Sequence, residues 1–407
     1  MFFDSLFIPY FQAAKIEGMK KTLALALLFG AISIQAQVDL INRVKDNGSS
    51  SEDIEFTTVY DIEALEVEDQ GRSGTCWSFS ATGFLESECI RKGNRVDLSA
   101  LYVVRKVYEE KAEKYIRLHG ALNFGQGGAL PDAIFVLKEH GAVPEEIYSG
   151  RPDKGQRIDH GELEDALSSL LDAVLKREGR ALKSNWKEAV SGLLDAYLGP
   201  VPESFEWEGR TYTPRSFADD FLKLNADDYL QVTSFVYQPY YAPMMIEVPD
   251  NWMWGSSWNL PLDEFMSVLD ASLSEGYTLA WATDVSEKGF SIRNGLAINP
   301  DREQLELLGL DDPFIAGCPE IKVSEELRQA DFDAWKTTDD HGMQIVGKVT
   351  DQTGKAYYAV RNSWGDRENP YRSGHLYATE SFIAHKSISL VVNVEALPAR
   401  LRKKLDL

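Results

Sequence analysis

The chain has 407 residues, 44% of them hydrophobic and 26% charged, which is an ordinary globular composition with enough length for a substantial core. Its formal net charge of −22 at pH 7 repels phosphate backbones, so nucleic acid is not an expected partner. The length allows two domains or one domain with a large insertion.

The first 36 residues have the pattern of an export signal. Residues 19–21 supply a start and a positive region, and residues 22–34 form an apolar run that is too short to span a membrane. Ala36 is a small residue at a plausible cleavage point. The true start is then Met19, although an amphipathic core helix is the alternative interpretation. We expect an exported protein, periplasmic or secreted, without a stable membrane anchor.

Helical periodicity dominates the first half of the mature chain. Apolar residues recur three and four apart in five segments, at about 76–92, 98–118, 130–140, 161–179 and 185–196. The last two segments belong to an acidic block, 151–275, which ends in an aromatic stretch at 229–258. These aromatic residues either line a cleft or pack the interior.

From about residue 277 the hydrophobic period shifts towards two. The predicted strands lie at 279–282, 344–349, 357–360, 375–378 and 388–394. A hairpin turn is predicted at 351–355, and leucines spaced four apart predict a helix within 395–407. Helices first and antiparallel strands later indicate an α+β fold.

The segment 69–81, with the sequence DQGRSGTCWSFSA, carries the strongest chemical signal. A loop rich in glycine and serine delivers Cys76 to the start of an amphipathic helix. The N-terminus of a helix carries partial positive charge and free N–H groups, which favour the thiolate over the thiol. Because the thiolate is the reactive form, this position predicts a nucleophile rather than an inert buried cysteine.

A cysteine nucleophile needs a base, and the base needs a group that orients it. Of the six histidines, only His341 stands beside a predicted strand with a second motif downstream. That motif, RNSWG at 361–365, follows about twenty residues later. The other five histidines are interpreted as structural. A third motif, GQGG at 125–128, precedes a predicted helix, and glycine pairs of this kind are common in tight turns.

In chain order, the Cys76 segment, the GQGG loop and His341 with the RNSWG segment resemble the motifs of papain-like cysteine peptidases. The resemblance implies that Cys76 attacks the scissile carbonyl, that His341 is its base, and that Asn362 holds the imidazole in its working tautomer. It also implies acyl-enzyme chemistry without a cofactor or a metal ion.

The same resemblance assigns supporting roles. Gln70, together with the Cys76 backbone N–H, would form the oxyanion hole. The backbone of Gly127 and Gly128 would pair with extended substrate. Trp364 would shield the histidine from water, and Trp77, directly after the nucleophile, completes the motif.

The spacing of the motifs departs from the simple papain plan. His341 lies 265 residues after Cys76, whereas roughly 130–150 residues is usual. The excess corresponds to the block 151–275, and the chain in this respect resembles the bleomycin hydrolase/aminopeptidase C branch. We therefore expect a helical lobe at 37–150 with the nucleophile, an insertion at 151–275 folded against the core, and a β-rich lobe at 276–407.

Three functions compete for this chain. The first is an aminopeptidase or oligopeptidase of the bleomycin hydrolase type, and the second is an endopeptidase with an open cleft. The second is the alternative to the first: the predicted C-terminal helix leaves no extended arm to enter the active site, so we expect endopeptidase or oligopeptidase capacity beside any exopeptidase activity. The third, an inactive peptide-binding descendant, is disfavoured because all four catalytic positions are intact.

The expected partners are peptide or protein substrates. Resemblance to the branch also implies a homo-oligomer, since its members often form hexameric barrels. Besides Cys76, the chain has only Cys89 and Cys318, and whether these two form a disulfide is left open.

Overall fold

A computed structural model describes residues 54–151, 155, 157–176 and 181–407. The predicted export signal at 1–36 and the start at Met19 lie outside the described residues. Within those described, no helix combines the length and the apolar character needed to cross a membrane.

The five predicted helices are all present, with ends that differ from the expected ones by a few residues at most. They are Cys76–Arg91, Ala100–Arg117, Pro131–His140, Gly161–Leu175 and Asn185–Leu198. The first is buried on every side for most of its length, because it lies between the other helices and the sheet. Further along the chain, helices lie at Leu262–Ser274, Arg302–Leu308, Glu325–Asp333, Glu380–Lys386 and Ala399–Lys404.

The strands, in chain order, are β1 (Thr57–Asp61), β2 (Phe205–Trp207), β3 (Arg210–Tyr212), β4 (Tyr229–Thr233), β5 (Pro243–Met245), β6 (Ser256–Asn259), β7 (Leu279–Thr283), β8 (Phe290–Ser291), β9 (Leu296–Ala297), β10 (His341–Thr350), β11 (Ala356–Arg361), β12 (His375–Thr379) and β13 (Ser387–Asn393). In the described part of the chain, β2 and β3 form a separate hairpin, and the other strands form one sheet. Its order is β5-β6-β4-β13-β7-β10-β11-β12-β9-β8, with β1 also paired to β10. The pairing of β7, β10, β11 and β12 is antiparallel, as expected, and the α+β class is confirmed.

The block 151–275 packs against the rest of the molecule in two different ways. Its helices place Leu163, Leu167, Leu194 and Leu198 in the hydrophobic cluster of the helical lobe. Its later part contributes β4, β5 and β6 to the large sheet, where β4 pairs with β13. The predicted boundary at residue 275 therefore does not coincide with an edge of the β-rich lobe. The physical reason is that β13, at the far end of the chain, has a free edge that β4 completes.

The C-terminal helix Ala399–Lys404 packs on the β-rich lobe. Leu397, Leu401 and Leu405 are buried in its hydrophobic cluster. Lys404 donates to Glu264 at 2.6 Å and to the Tyr241 hydroxyl at 2.9 Å. The predicted leucine spacing thus serves attachment to the lobe surface.

Polar side chains join the two lobes behind the nucleophile helix. Gln344 Nε2, on β10, donates to the Gly83 carbonyl at 3.0 Å and to Ser87 Oγ at 2.8 Å. Arg361 Nη1 donates to Gln344 Oε1 at 3.3 Å and lies 3.9 Å from Glu86 Oε2. A buried cation from the sheet thus faces a buried carboxylate from the helix, and removing either would leave an uncompensated charge.

The three cysteines are buried, and none of them is part of a disulfide in the described chain. Cys89 lies in the hydrophobic cluster of the helical lobe and Cys318 in a small cluster beside β9 and β11. The question left open by the sequence is therefore answered, since Cys89 and Cys318 form no disulfide.

Buried acids and histidines predict a characteristic dependence of stability on pH. Burial raises the pKa of Asp132 to about 7 and also raises that of Glu68, and it lowers the pKa of His160 and His375 to about 4. A raised carboxyl pKa gives stability that is present at low pH and lost as the pH rises through the folded value. A lowered histidine pKa costs stability below the ordinary value of 6.5.

We therefore expect thermal stability to increase as the pH falls from about 8.5 to about 6.5, because the buried carboxyls take up protons in the folded state in this range. The gain in the free energy of unfolding is up to about 1.4 kcal/mol per pH unit for each proton taken up. Further acidification should bring little gain in stability, because the histidines take up protons more readily in the unfolded state below pH 6.5, and this offsets the gain from the carboxyls. Thermal unfolding followed by circular dichroism across this range tests the expectation. A lower Tm at pH 6.5 than at pH 8.5 would contradict it.

Candidate active site

Cys76 is the first residue of the helix Cys76–Arg91. The loop before it is held by one of its own side chains and by a side chain from the glycine loop: the Gly71 N–H donates to Asp69 Oδ1 at 2.8 Å, and the Gly74 N–H donates to Gln126 Oε1 at 2.7 Å. Gly71 has a φ of +67° and lies against the Ile158 carbonyl, so only glycine suits this position. The sulfur is thereby placed at the positive end of a helix, as the sequence predicts.

His341 begins β10, and its ring is oriented by Asn362. Asn362 Oδ1 lies 2.8 Å from His341 Nε2 and also accepts the backbone N–H of Ser363 at 2.8 Å. An oxygen that accepts from a backbone N–H is an acceptor for the ring as well, so the imidazole proton sits on Nε2. The lone pair of Nδ1 is then available to take a proton.

The Trp364 ring covers the histidine. Its centroid lies 4.4 Å from that of His341, at an interplanar angle of 30°, and Trp364 is 3% exposed. This indole lies over the imidazole and restricts the access of water to its hydrogen bond with Asn362.

Gly342 brings the two halves of the site together. A Cβ at this position would lie 2.7 Å from Ser80 Oγ and 3.2 Å from Trp77 Cα, so β10 packs closely against the start of the nucleophile helix. Cys76 and His341 consequently line the same cleft, which encloses about 540 Å³ including space open to solvent.

Burial opposes a charge on either group alone. It raises the pKa of the Cys76 thiol to about 12, against the effect of the Gly342 and Trp77 backbone N–H groups. It lowers the pKa of His341 to about 4, against the effect of the hydrogen bond that its ring donates to Asn362. A thiolate and an imidazolium formed together stabilise each other, so transfer of the thiol proton to His341 costs less than its release to water.

Gln70 is completely buried and held by two serines. Its Nε2 donates to the Ser73 carbonyl at 2.7 Å, and its Oε1 accepts from Ser363 Oγ at 2.7 Å. One amide hydrogen is therefore committed to Ser73, and the predicted oxyanion role requires the other one. Gln70 does not itself line the cleft, unlike Cys76 and His341.

The loop with Gly127 and Gly128 lines the cleft, as predicted. A Cβ on Gly128 would lie 2.7 Å from Trp77 Cε2 and 2.8 Å from Asp132 Oδ2, so a side chain there would displace the loop. The buried Lys111 donates to the carbonyls of Gly125, at 3.0 Å, and Gly127 from behind. This loop is rigid backbone beside the nucleophile, as an extended substrate requires.

Several residues of the site were not identified from the sequence. Gln126 joins the glycine loop to the nucleophile loop, because its side chain accepts from Gly74 and its carbonyl accepts from Trp77 Nε1 at 3.0 Å. Asp250 and Asp339 line the cleft. Asp339 lies two residues before His341, a usable signal, whereas nothing local distinguishes Asp250 within the aromatic stretch.

Comparison with known proteins agrees with this geometry. Residues 125–407 match the Peptidase C1-like family, and residues 53–170 match the papain family of cysteine proteases. The chain is 22% identical to Aminopeptidase C of Lactobacillus delbrueckii subsp. lactis over 440 aligned positions, covering 96% of this chain and 93% of the relative. It is also 22% identical to the mitochondrial Cysteine proteinase 1 of Saccharomyces cerevisiae, covering 86% of this chain and 79% of that protein.

Among solved structures, PepW of Lactobacillus rhamnosis superposes with a TM-score of 0.67 at 18% sequence identity, covering 99% of this chain and 95% of PepW. That likeness supports the two-lobe papain-like fold. Together with the match of residues 125–407, it confirms the resemblance to the bleomycin hydrolase/aminopeptidase C branch. The chain belongs to the Peptidase C1-like family and is a papain-like cysteine peptidase.

Proposed function

We propose that Cys76, His341 and Asn362 hydrolyse peptide bonds through an acyl-enzyme. The observation that carries this is the hydrogen bond of His341 to Asn362, which leaves Nδ1 available in the cleft that Cys76 also lines. The Cys76 thiol gives its proton to His341 Nδ1, and the sulfur attacks the scissile carbonyl carbon.

The tetrahedral intermediate collapses as the imidazolium protonates the leaving amine, which departs and leaves a thioester. Water then gives a proton to His341 and attacks the thioester carbon. The second tetrahedral intermediate breaks its C–S bond, which releases the carboxylic acid product and restores the Cys76 sulfur and His341, with the proton returned to this pair. The negative oxygen of both intermediates requires nearby donors, for which the Cys76 backbone N–H and the second amide hydrogen of Gln70 are the candidates.

Aminopeptidase action is the mode that we propose for this chemistry. It is supported by the relative from L. delbrueckii that is named Aminopeptidase C and that aligns over nearly the whole chain. The substrates would be peptides with a free N-terminus, shortened one residue at a time.

Internal cleavage is a second candidate, and one observation favours it. The helix Ala399–Lys404 is packed on the β-rich lobe through Leu401 and Leu405, and no described residue from 394 to 407 lines the cleft. If the cleft is open at this end, a longer peptide could pass through it.

The two modes are distinguished with one peptide in two forms, with a free N-terminus and with an acetylated one. We expect stepwise loss of single residues from the free form, measured by mass spectrometry, and complete inhibition by iodoacetamide. Internal fragments from the acetylated form would show endopeptidase action. A protein that cuts neither form would overturn the proposal.

Export stays a prediction that rests on residues 1–36. The homo-oligomer, which the resemblance to the branch implies, also stays a prediction. Both are proposals about the whole chain that do not alter the chemistry of the cleft. N-terminal sequencing of the protein recovered from the producing cell, expected to begin at Gln37, checks the first, and the mass in solution checks the second.

A further inference from the structure

Two carboxyl groups in the wall of the catalytic cleft have no role in the mechanism described above. The cleft is lined by Asp250, Asp339 and Asp340, and among its lining residues in the described chain there is no lysine or arginine. Asp340 is committed to neighbouring groups, since its Oδ1 accepts the Val285 N–H at 2.8 Å and its Oδ2 accepts from Ser286 Oγ. Asp250 and Asp339 remain.

The Asp339 carboxyl has no hydrogen bond or ion pair within the described chain. Burial and the neighbouring Asp250 raise its pKa to about 7, so the two carboxyls lie close enough to repel each other. Asp250 accepts one bond, from Asn123 Nδ2 at 3.2 Å. Two carboxyls that face one space without a compensating cation create a potential that favours a positively charged ligand.

Lys111 does not cancel this charge. It attracts Asp250, but its ammonium is bound to the Gly125 and Gly127 carbonyls behind the loop, and Asp132 and Glu164 also lie near it. One buried cation is therefore shared among three carboxyls.

The position of the carboxyls indicates which part of a peptide they would meet. A Cβ on Gly127 would overlap the Asp250 carboxyl, so this carboxyl lies directly against the loop expected to hold the substrate main chain. Asp339 lies two residues before His341, in the segment that leads into β10. A peptide whose main chain lies along the loop would bring its N-terminal ammonium, the only cation of a peptide main chain, to these carboxyls.

The carboxyls also share the cleft with the nucleophile. Asp250 and Asp339 line the same cleft as Cys76, and both act electrostatically on its thiol. In an N-terminal residue the α-nitrogen is roughly 2.5 Å from its own carbonyl carbon. A residue whose carbonyl is at Cys76 therefore carries its ammonium into this part of the cleft. The cleft is a substrate site on independent grounds, because the thiol and imidazole line it too.

We infer that Asp250 and Asp339 form the subsite that binds the α-ammonium group of the substrate, which rests on the proposed peptidase function. Side-chain carboxylates then provide aminopeptidase selectivity within the cleft, while the helix Ala399–Lys404 stays packed on the β-rich lobe.

The test uses Asp250→Asn, Asp339→Asn and the double variant in the full chain. Each is assayed on an aminoacyl-coumarin substrate with a free amine and on its N-acetylated counterpart. We expect kcat/KM for the free-amine substrate to fall at least about tenfold in each single variant, mainly through KM, with less than about twofold change for the acetylated one. Glu247→Gln, which removes an exposed charge from the same segment, is the matched control and should behave as wild type.

Other results are informative. Equal losses on both substrates would show a merely structural role and overturn the inference, as would unchanged kinetics on the free amine. If the substrate residue is lysine and kcat/KM falls only for the acetylated form, the carboxyls bind a side-chain ammonium instead, which would also overturn the inference. If the wild-type protein cuts no free-amine substrate at all, it is the proposed aminopeptidase function that fails.

Discussion

Replacing Cys76 with alanine is expected to abolish peptide hydrolysis, with a loss of at least about 10⁴-fold in kcat/KM, because the described residues that line the cleft include no second thiol to form the acyl-enzyme. The fold should survive. The substitution removes one sulfur at the start of a helix whose other side chains keep their packing, at a cost of about 1 kcal/mol. Turnover on a fluorogenic peptide and thermal unfolding measure the two effects separately.

Cys89→Ala is the matched control for this experiment. Cys89 lies on the same helix, is 0% exposed, and belongs to the hydrophobic cluster of the helical lobe rather than to the cleft. This variant should retain wild-type turnover with a comparable loss of stability. A Cys76→Ala protein that still turns over at the wild-type rate would remove Cys76 as the nucleophile.

His341→Ala should lower kcat by about 10³–10⁴-fold, because the thiol loses its proton acceptor and the leaving amine loses its proton donor. Asn362→Ala should cost less, about 10–100-fold, since the base remains and only its orientation is lost. The order of these two effects follows from the geometry, in which Asn362 acts on the substrate only through the ring of His341. Single-turnover kinetics with an active-site titration give the comparison.

The double variant Cys76→Ala/His341→Ala separates this chemistry from a general loss of structure. If Cys76 and His341 act as one unit, its residual rate equals that of Cys76→Ala alone. Independent, multiplying losses would contradict the proposed proton transfer between them. An Asn362→Ala protein as inactive as His341→Ala would contradict the orienting role.

The candidate catalytic residues could be proposed from the sequence because each lies in a local motif. The position of Cys76 at the start of a helix depends on the few residues around it. Asn362 and Trp364 lie in one short segment, and Gly127 and Gly128 lie in another. Amphipathic periodicity likewise indicated the five helices, since the apolar face of a helix can be recognised from the residues of a few consecutive turns. The leucines of the C-terminal segment predicted its helix for the same reason.

The extent of the sheet could not be predicted in this way. The strand β4 joins it through pairs such as Gln231 with Val391, residues 160 positions apart. Hydrophobic period reports which residues face a core, but it does not report which strand lies beside which. The acidic, helix-rich character of 151–275 therefore indicated an insertion while concealing that its last part completes the β-rich lobe.

The sequence by itself thus determined the class of fold and the class of reaction, and it indicated the candidate nucleophile and its base, because those depend on residue chemistry at short range. Only the tertiary structure decided that Cys89 and Cys318 stay apart, that Gln70 is held between Ser73 and Ser363, and that Asp250 and Asp339 face the same cleft. Asp250 and Asp339 are 89 residues apart in the chain. Their proximity results from the packing of the segment after β5 against the start of β10, and electrostatic interactions act through space and not along the sequence.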